Sequence, residues 1–377
     1  MTHRTTPPFR AEHVGSLLRP PEVAKARADR EAGRITPAEL RAIEDKAIRD
    51  AVRMQEEVGL EAVTDGEMRR RSWHMDFYYQ IGGLARVDDK VQVPFQNEAG
   101  ALPFEIEGIR VDGKLALNHT IFAEDFQFLK SIAKATPKLT IPSPSVMHRR
   151  GGQLLDPQRH PEIKTLYPEV EPFWRDLAAV YAAEIAGLHK IGCTYLQIDD
   201  TSFASLCDPR QRAAMSKEGA DGERIHLTYI KLVNDALKAK PAGMTVVTHT
   251  CRGNFRSGWF ASGSYDFIAE PLFSTLAVDG FFLEYDDARS GDFAALRFVP
   301  KGKMVILGLV TSKKGVLETK DSLKRRIDEA AKYVPLDQLC LSPQCGFSST
   351  SEGNVLTPEE QKAKLRLVVE TAREVWG

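Results

Sequence analysis

Long apolar runs are missing from this chain. The longest, such as Met304 to Val310, are strand-sized and far below the ~20 residues that span a bilayer. Residues 1–15 hold no apolar core of signal-peptide length. A charge of one sign is missing too. Lys and Arg number 51 against 52 Asp and Glu, a net charge of −1. That balance argues against a nucleic-acid or membrane partner. Cysteine is scarce, five in 377 residues, and no paired C-x-x-C knuckle occurs. An odd count in a large chain fits a reducing compartment. A cytoplasmic location is therefore expected, with cysteines buried, catalytic or metal-bound rather than bridged. No internal repeat, low-complexity tract or linker divides the chain, so residues 1–377 are read as one domain.

What is present is an alternation of helices and short apolar runs. Thr36-Pro-Ala-Glu39 opens a helix with a capping box, and Thr357-Pro-Glu-Glu360 repeats the device before the last helix. Further helices are expected over Val170 to Lys190, Arg224 to Ala239 and Ser322 to Tyr333. Between them lie buried-strand candidates rich in β-branched and aliphatic residues. They are Ala62-Val63-Thr64, Leu139-Thr140-Ile141, Tyr195 to Ile198, Thr245 to Thr248, Phe281-Phe282-Leu283, Val305-Ile306-Leu307 and Leu339-Cys340-Leu341. A weaker eighth is His13-Val14-Gly15. Eight runs separated by helices predict an α/β fold, a single (β/α)8 TIM barrel, with a doubly wound sheet as the competing layout. The stretch from about 85 to 120 breaks the alternation and reads as a β-hairpin insertion after the second strand.

Polar residues recur where the apolar runs end: Asp65-Gly66-Glu67, Asp199-Asp200, His249-Thr250-Cys251, Glu284-Tyr285-Asp286 and Gln344-Cys345-Gly346. In a parallel barrel these ends share one face, where active sites sit. His249-x-Cys251 is the sharpest element, because residues two apart on a strand project to the same side. Glu284 and Cys345 end two later strands and could complete a set that suits zinc. A lone His-x-Cys is ordinarily two core residues, and Cys193, Cys207 and Cys340 are read as buried apolar groups. Only joint placement raises the metal reading. Glu67, Asp199 and Asp200 could hold a substrate ammonium, or serve as helix caps and partners of Arg69-Arg70-Arg71. Asp286 rivals Glu284, two residues on and facing the same way.

Taken in order, these residues resemble the catalytic C-terminal half of the cobalamin-independent methionine synthase family. The resemblance covers nearly the whole chain through His13-Val14-Gly15-Ser16, Asp65-Gly66-Glu67, Ile198-Asp199-Asp200, His249-x-Cys251, Phe282-Leu283-Glu284 and Pro343-Gln344-Cys345-Gly346. It implies a (β/α)8 barrel and a zinc-dependent methyltransferase that moves a methyl group onto homocysteine to give methionine. By the same resemblance, Zn2+ is bound by His249, Cys251, Glu284 and Cys345. Homocysteine is held by Ser16, with Glu67 and Asp199 on its amino group.

The chain departs from the family pattern on the donor side. The full-length enzyme carries a further N-terminal barrel that helps bind folate. The tryptophan expected after the third strand is absent from Ser143 to His148. The general-acid histidine expected after the seventh strand is absent from Gly308 to Lys313. The family's arginine follows its glutamate ligand by three residues, whereas Arg289 follows Glu284 by five and Asp286 by three. Candidates to protonate a leaving group are then His148, Lys313 or a water held by Asp200. A corrinoid or sulfonium donor needs no such acid, so a folate, a corrinoid protein or a sulfonium remain open as methyl donor, as does a homo-oligomeric state. Alternatives to this reading are a thiol alkyltransferase joining an epoxide to coenzyme M and a non-catalytic zinc or thiol-binding protein. A uroporphyrinogen-type decarboxylase would have no use for the His-Cys-Cys set.

Overall fold

The computed structural model describes residues 4–150, 161–217 and 221–377. Seven parallel strands form its main sheet. They are β1 Ala62–Val63, β4 Thr136–Pro142, β5 Tyr195–Asp200, β6 Thr245–Thr250, β7 Gly280–Glu284, β8 Met304–Val310 and β9 Leu339–Pro343, paired in that order. Two long strands between β1 and β4, β2 Gly82–Asn97 and β3 Gly100–Ala116, pair antiparallel as a separate hairpin. The main strands are buried along nearly their full length, as expected for a parallel sheet covered by helices.

The closed (β/α)8 TIM barrel expected from eight apolar runs does not form. The sheet is an open, seven-stranded parallel half-barrel. The run His13-Val14-Gly15 is not a strand. Its segment makes one parallel bridge to β9, Ala11 to Leu341, through Glu12 N–H to Leu341 O and Leu341 N–H to Arg10 O, both 2.9 Å. At the opposite edge of the sheet, β1 is only two residues long and pairs with β4 alone. The segment meets that side through Thr64 Oγ1 donating to Gly15 O at 2.6 Å and Leu17 N–H donating to Gly66 O at 3.0 Å. A ladder needs successive backbone pairs on both strands, and none forms there among the described residues.

The helices follow their sequence signals. Thr36 Oγ1 accepts Glu39 N–H at 3.2 Å while Glu39 accepts Thr36 N–H at 2.7 Å, which starts the helix Pro37–Val58. Gly59 ends it in the left-handed region, at φ 95°, where a side chain would be strained. Thr357 and Glu360 form the same reciprocal cap on Pro358–Trp376. Val170–Lys190 and Ile225–Leu237 lie where the periodicity put them. No helix among the described residues is long and apolar enough to cross a membrane.

Alternation along the hairpin decides where it goes. Val93, Phe95 and Ile106 are buried on one face, and Leu102 and Phe104 pack beside them. This face closes on Phe255, Phe260 and Ala261 from the loop after β6, forming an apolar cluster distinct from the main core. A two-way backbone bridge, Gln96 with Trp259 at 2.8 Å in both directions, ties the hairpin to that loop. The hairpin thus reaches the C-terminal end of β6, where the chemistry lies.

Candidate metal and thiol-binding site

His249 is on β6 and Cys251 follows its end; Cys345 lies two residues past β9. One ligand atom from each falls within 4.8 Å of the others, and all three residues are buried. The Cys251 and Cys345 sulfurs are 3.3 Å apart, far beyond the ~2.05 Å of a disulfide. Neither ring nitrogen of His249 has a hydrogen-bond partner, an unusual condition for a buried imidazole. An imidazole nitrogen and two sulfurs converging in a buried site are the donor set of zinc, so the residues fit the ion that the resemblance implies. Cys345 and then burial push the Cys251 thiol well above its ordinary range. Burial lowers His249, but the Cys251 sulfur, Asp199 and Glu284 outweigh it and the net shift is upward. Without a cation His249 and Cys251 therefore favour their protonated forms; a bound cation reverses that preference.

Glu284 stands outside the trio. Its buried carboxylate accepts Arg252 N–H at 2.9 Å and pairs with Lys313 at 3.3 Å and Arg289 at 3.4 Å. Burial alone would raise its pKa, but Lys313, Arg252 and Arg289 hold it down at about 2. Asp286 shares Arg289, at 3.4 Å, and Lys313, at 4.0 Å; burial moves its pKa upward. Arg289 therefore reaches both carboxylates, and its spacing from each does not separate the two candidates. Glu284 is the one joined to the ligand strand, through the amide next to Cys251.

The trio lines a cavity of about 560 Å³, counted with its mouth, together with Ser16, Glu67 and Asp199. Each arrives by a specific local device. Ser16 lies so close to Gly346 that a Cβ there would come within 2.0 Å of its hydroxyl, so any larger residue after Cys345 would displace the Ser16 side chain. Asp65 Oδ1 accepts Glu67 N–H at 2.9 Å, and Gly66 and Glu67 both take positive φ, 66° and 57°. For a glutamate this is a strained backbone of the kind found at functional sites. Thr140 Oγ1 donates to Glu67 Oε1 at 2.9 Å, while buried Oε2 has no partner. Burial raises the Glu67 pKa against the pull of Arg70 and Arg19. Asp199 pairs in register with His249, accepts Gln197 Nε2 at 2.7 Å, and is pushed by burial to about 7.

Two expected catalytic residues are not brought to this cavity. Asp200 is absent from its walls. Its Oδ1 accepts the Ser202 and Phe203 amides, at 2.6 and 2.8 Å, and its Oδ2 accepts the Ser145 hydroxyl, so it acts as the cap of the turn after β5. His148 is also absent from the walls. Its Nδ1 meets the Tyr229 hydroxyl at 2.9 Å and its ring packs edge-on against Trp174. Both side chains are spent on local structure. The sequence reading in turn missed Trp73, Phe95, Phe104 and Phe260, which form the apolar wall of the cavity.

The sequence profile of the family described as "Cobalamin-independent synthase, Catalytic domain" matches residues 169–374, more than half of the chain. The chain belongs to this family. Two Bacillus subtilis relatives span almost its whole length. The uncharacterized protein YxjH is 46% identical over 371 residues, covering 98% of this chain and 95% of its own. The uncharacterized protein YxjG is 46% identical over 375 residues, covering 99% and 96%. A Listeria monocytogenes crystal structure, of a protein proposed to be a vitamin-B12 independent methionine synthase, matches with TM-score 0.75 and 36% identity over 99% of this chain and 100% of that one. A B12-independent methionine synthase from Shewanella shares the fold, with TM-score 0.71 at 17% identity over 97% of each chain. All three members of the His-Cys-Cys trio fall inside the matched family region, whereas Ser16, Glu67 and the hairpin lie before it.

Proposed function

We propose that this family member is a zinc-dependent methyltransferase that transfers a methyl group to the thiol of homocysteine, giving methionine. The observation that carries the reading is the meeting of His249, Cys251 and Cys345 at one end of a cavity that also holds Glu67 and Asp199. A thiol has pKa about 8.5 and is mostly protonated near pH 7; zinc, when bound, stabilises the thiolate and so supplies a nucleophile. His249, Cys251 and Cys345 would hold the ion. Glu284, a buried anion one amide away from Cys251, is the carboxylate we assign as the remaining ligand.

The chain's other residues select and position the substrate. Glu67 Oε2, buried and unpartnered, gives the amino group of an amino-acid thiol a charge-assisted partner. Asp199 is a second such partner once ionised. Ser16, pressed against Gly346, fixes the substrate's position beside Cys345. The aromatic wall excludes water, which strengthens the electrostatic contacts inside. A sulfonate thiol such as coenzyme M finds no matching cation, since neither Lys nor Arg lines the cavity among the described residues; this favours an amino-acid thiol over the epoxide-and-coenzyme M reading.

The test is metal content combined with thiol titration on wild type and Cys345→Ser. Wild type is expected to retain zinc through dialysis, and its cobalt-substituted form to change absorption when homocysteine is added. Cys345→Ser is expected to lose both properties. Unchanged zinc retention and thiol response in the variant would remove the proposed site.

A further inference from the structure

The methyl donor is the half of the reaction that the metal trio does not address, and the cavity walls bear on it. The cavity lining also includes Trp73, Phe95, Phe104 and Phe260. The hairpin presses two of these rings in from outside: Phe95 meets Phe104 and Phe260 at ring distances of 5.4 Å, edge to face in both cases. Besides the trio, the titratable groups on the described walls are the carboxyls of Glu67 and Asp199 and the imidazole of His74, with no Lys or Arg among them. Aromatic faces and carboxylates attract cations, and an aromatic enclosure is a recurrent way to bind a methylated onium centre. An anionic donor finds no counter-charge. Of the acids expected from the sequence, Asp200 is committed to a turn, His148 meets Tyr229, and Lys313 pairs with Glu284 and Asp286.

We propose that this aromatic wall is the subsite of a small onium methyl donor, a sulfonium or quaternary ammonium, whose methyl group is presented to the bound thiolate. The proposal rests on the reading of the site as a thiol methyltransferase. The step balances without any further reactant. The thiolate sulfur forms a bond to the methyl carbon, and the carbon–sulfonium or carbon–ammonium bond breaks. Its electron pair stays on the departing heteroatom, which leaves as a neutral thioether or amine. The thiol proton passes to solvent, and nothing is oxidised or reduced. A leaving group that departs neutral needs no general acid.

The decisive experiment separates binding from transfer. Calorimetric titration of the zinc-loaded full chain compares choline with its neutral isostere 3,3-dimethylbutan-1-ol, without thiol present. Choline is expected to bind at least tenfold more tightly. Phe104→Leu, which keeps the wall apolar, is expected to erase the difference, whereas Phe104→Tyr keeps it. Circular dichroism and zinc content check that both variants are folded. Equal binding of the cation and its isostere to wild type overturns the subsite. Transfer is then read as methionine formed from homocysteine with trimethylsulfonium, tetramethylammonium, methyltetrahydrofolate or methylcobalamin. Methionine from either onium supports the donor class and tells the two apart. Methionine only from the folate or the corrinoid overturns the donor class while leaving the thiol methyltransferase intact. Failure of homocysteine to bind the zinc-loaded protein overturns the function and the donor role together.

Discussion

Replacing Glu67 with Gln tests whether Oε2 meets the substrate's amino group. In the structure Oε1 is occupied by the Thr140 hydroxyl, at 2.9 Å, and Arg70 lies 3.7 Å away. Gln can keep the Thr140 bond through its carbonyl oxygen. Its NH2 then takes the place of Oε2 and offers a donor to an ammonium that is itself only a donor. The lost interaction is one charge-assisted hydrogen bond in a buried site, worth ~1.5–3 kcal/mol, or roughly 10- to 150-fold in Kd at ~1.4 kcal/mol per decade. The assay is calorimetric titration of zinc-loaded wild type and Glu67→Gln with homocysteine and with 4-mercaptobutanoate, the same thiol without its amino group. Homocysteine is expected to weaken by that factor in the variant and 4-mercaptobutanoate to be unchanged. Equal weakening of both thiols would show that the substitution disturbs the site generally. No weakening of homocysteine would show that Glu67 does not meet the amino group.

Two further predictions concern buried charge away from the thiol. Glu184 is fully buried; Oε2 accepts Ile121 N–H at 2.9 Å and Oε1 has no partner, and burial carries its pKa from 4.5 to about 8. The folded carboxyl therefore keeps its proton to about pH 8 while the unfolded one loses it near 4.5, so wild-type stability falls as pH rises through that window. Glu184→Gln, which keeps the acceptor for Ile121, is expected to gain on the order of 4 kcal/mol over wild type at pH 8 and almost nothing at pH 4.5; equal denaturant midpoints of the two proteins at pH 8 would refute this. Lys313→Met leaves Glu284 and Asp286 sharing Arg289 as their remaining side-chain ion pair from that cluster. Stranding a buried carboxylate costs ~3–5 kcal/mol, so the metal-free variant is expected to unfold several degrees below wild type, and an unchanged Tm would mean the cluster is not a stabilising unit.

What the sequence made legible follows from how local each signal is. The helix from Pro37 and the helix from Pro358 were readable because a capping box lies within four consecutive residues. His249, Cys251 and Cys345 were readable because each lies at or just past the end of an apolar strand, and a curved parallel sheet brings the ends of β6 and β9 together although two strands lie between them. Closure was not readable. It depends on whether the segment near Ala11 pairs with both edges, and it makes one bridge to β9 and no ladder to the two-residue β1. Asp200 and His148, expected at the site, do not line the cavity; a carboxylate after a strand and a histidine near one have structural uses that look identical in sequence. One capped the next turn and the other met Tyr229. The aromatic wall was half visible. The alternation Val93-x-Phe95 and Phe104-x-Ile106 marks an apolar face on the hairpin, but the face is covered by Phe255 and Phe260, more than a hundred residues downstream. That distance carries a functional consequence. The metal trio lies wholly within the family-matched region, and half of the aromatic wall is supplied by a hairpin outside it. On the proposed function, a chain built this way keeps thiol activation in the sheet while the hairpin, an element with its own small core, sets which methyl donor the cavity accepts.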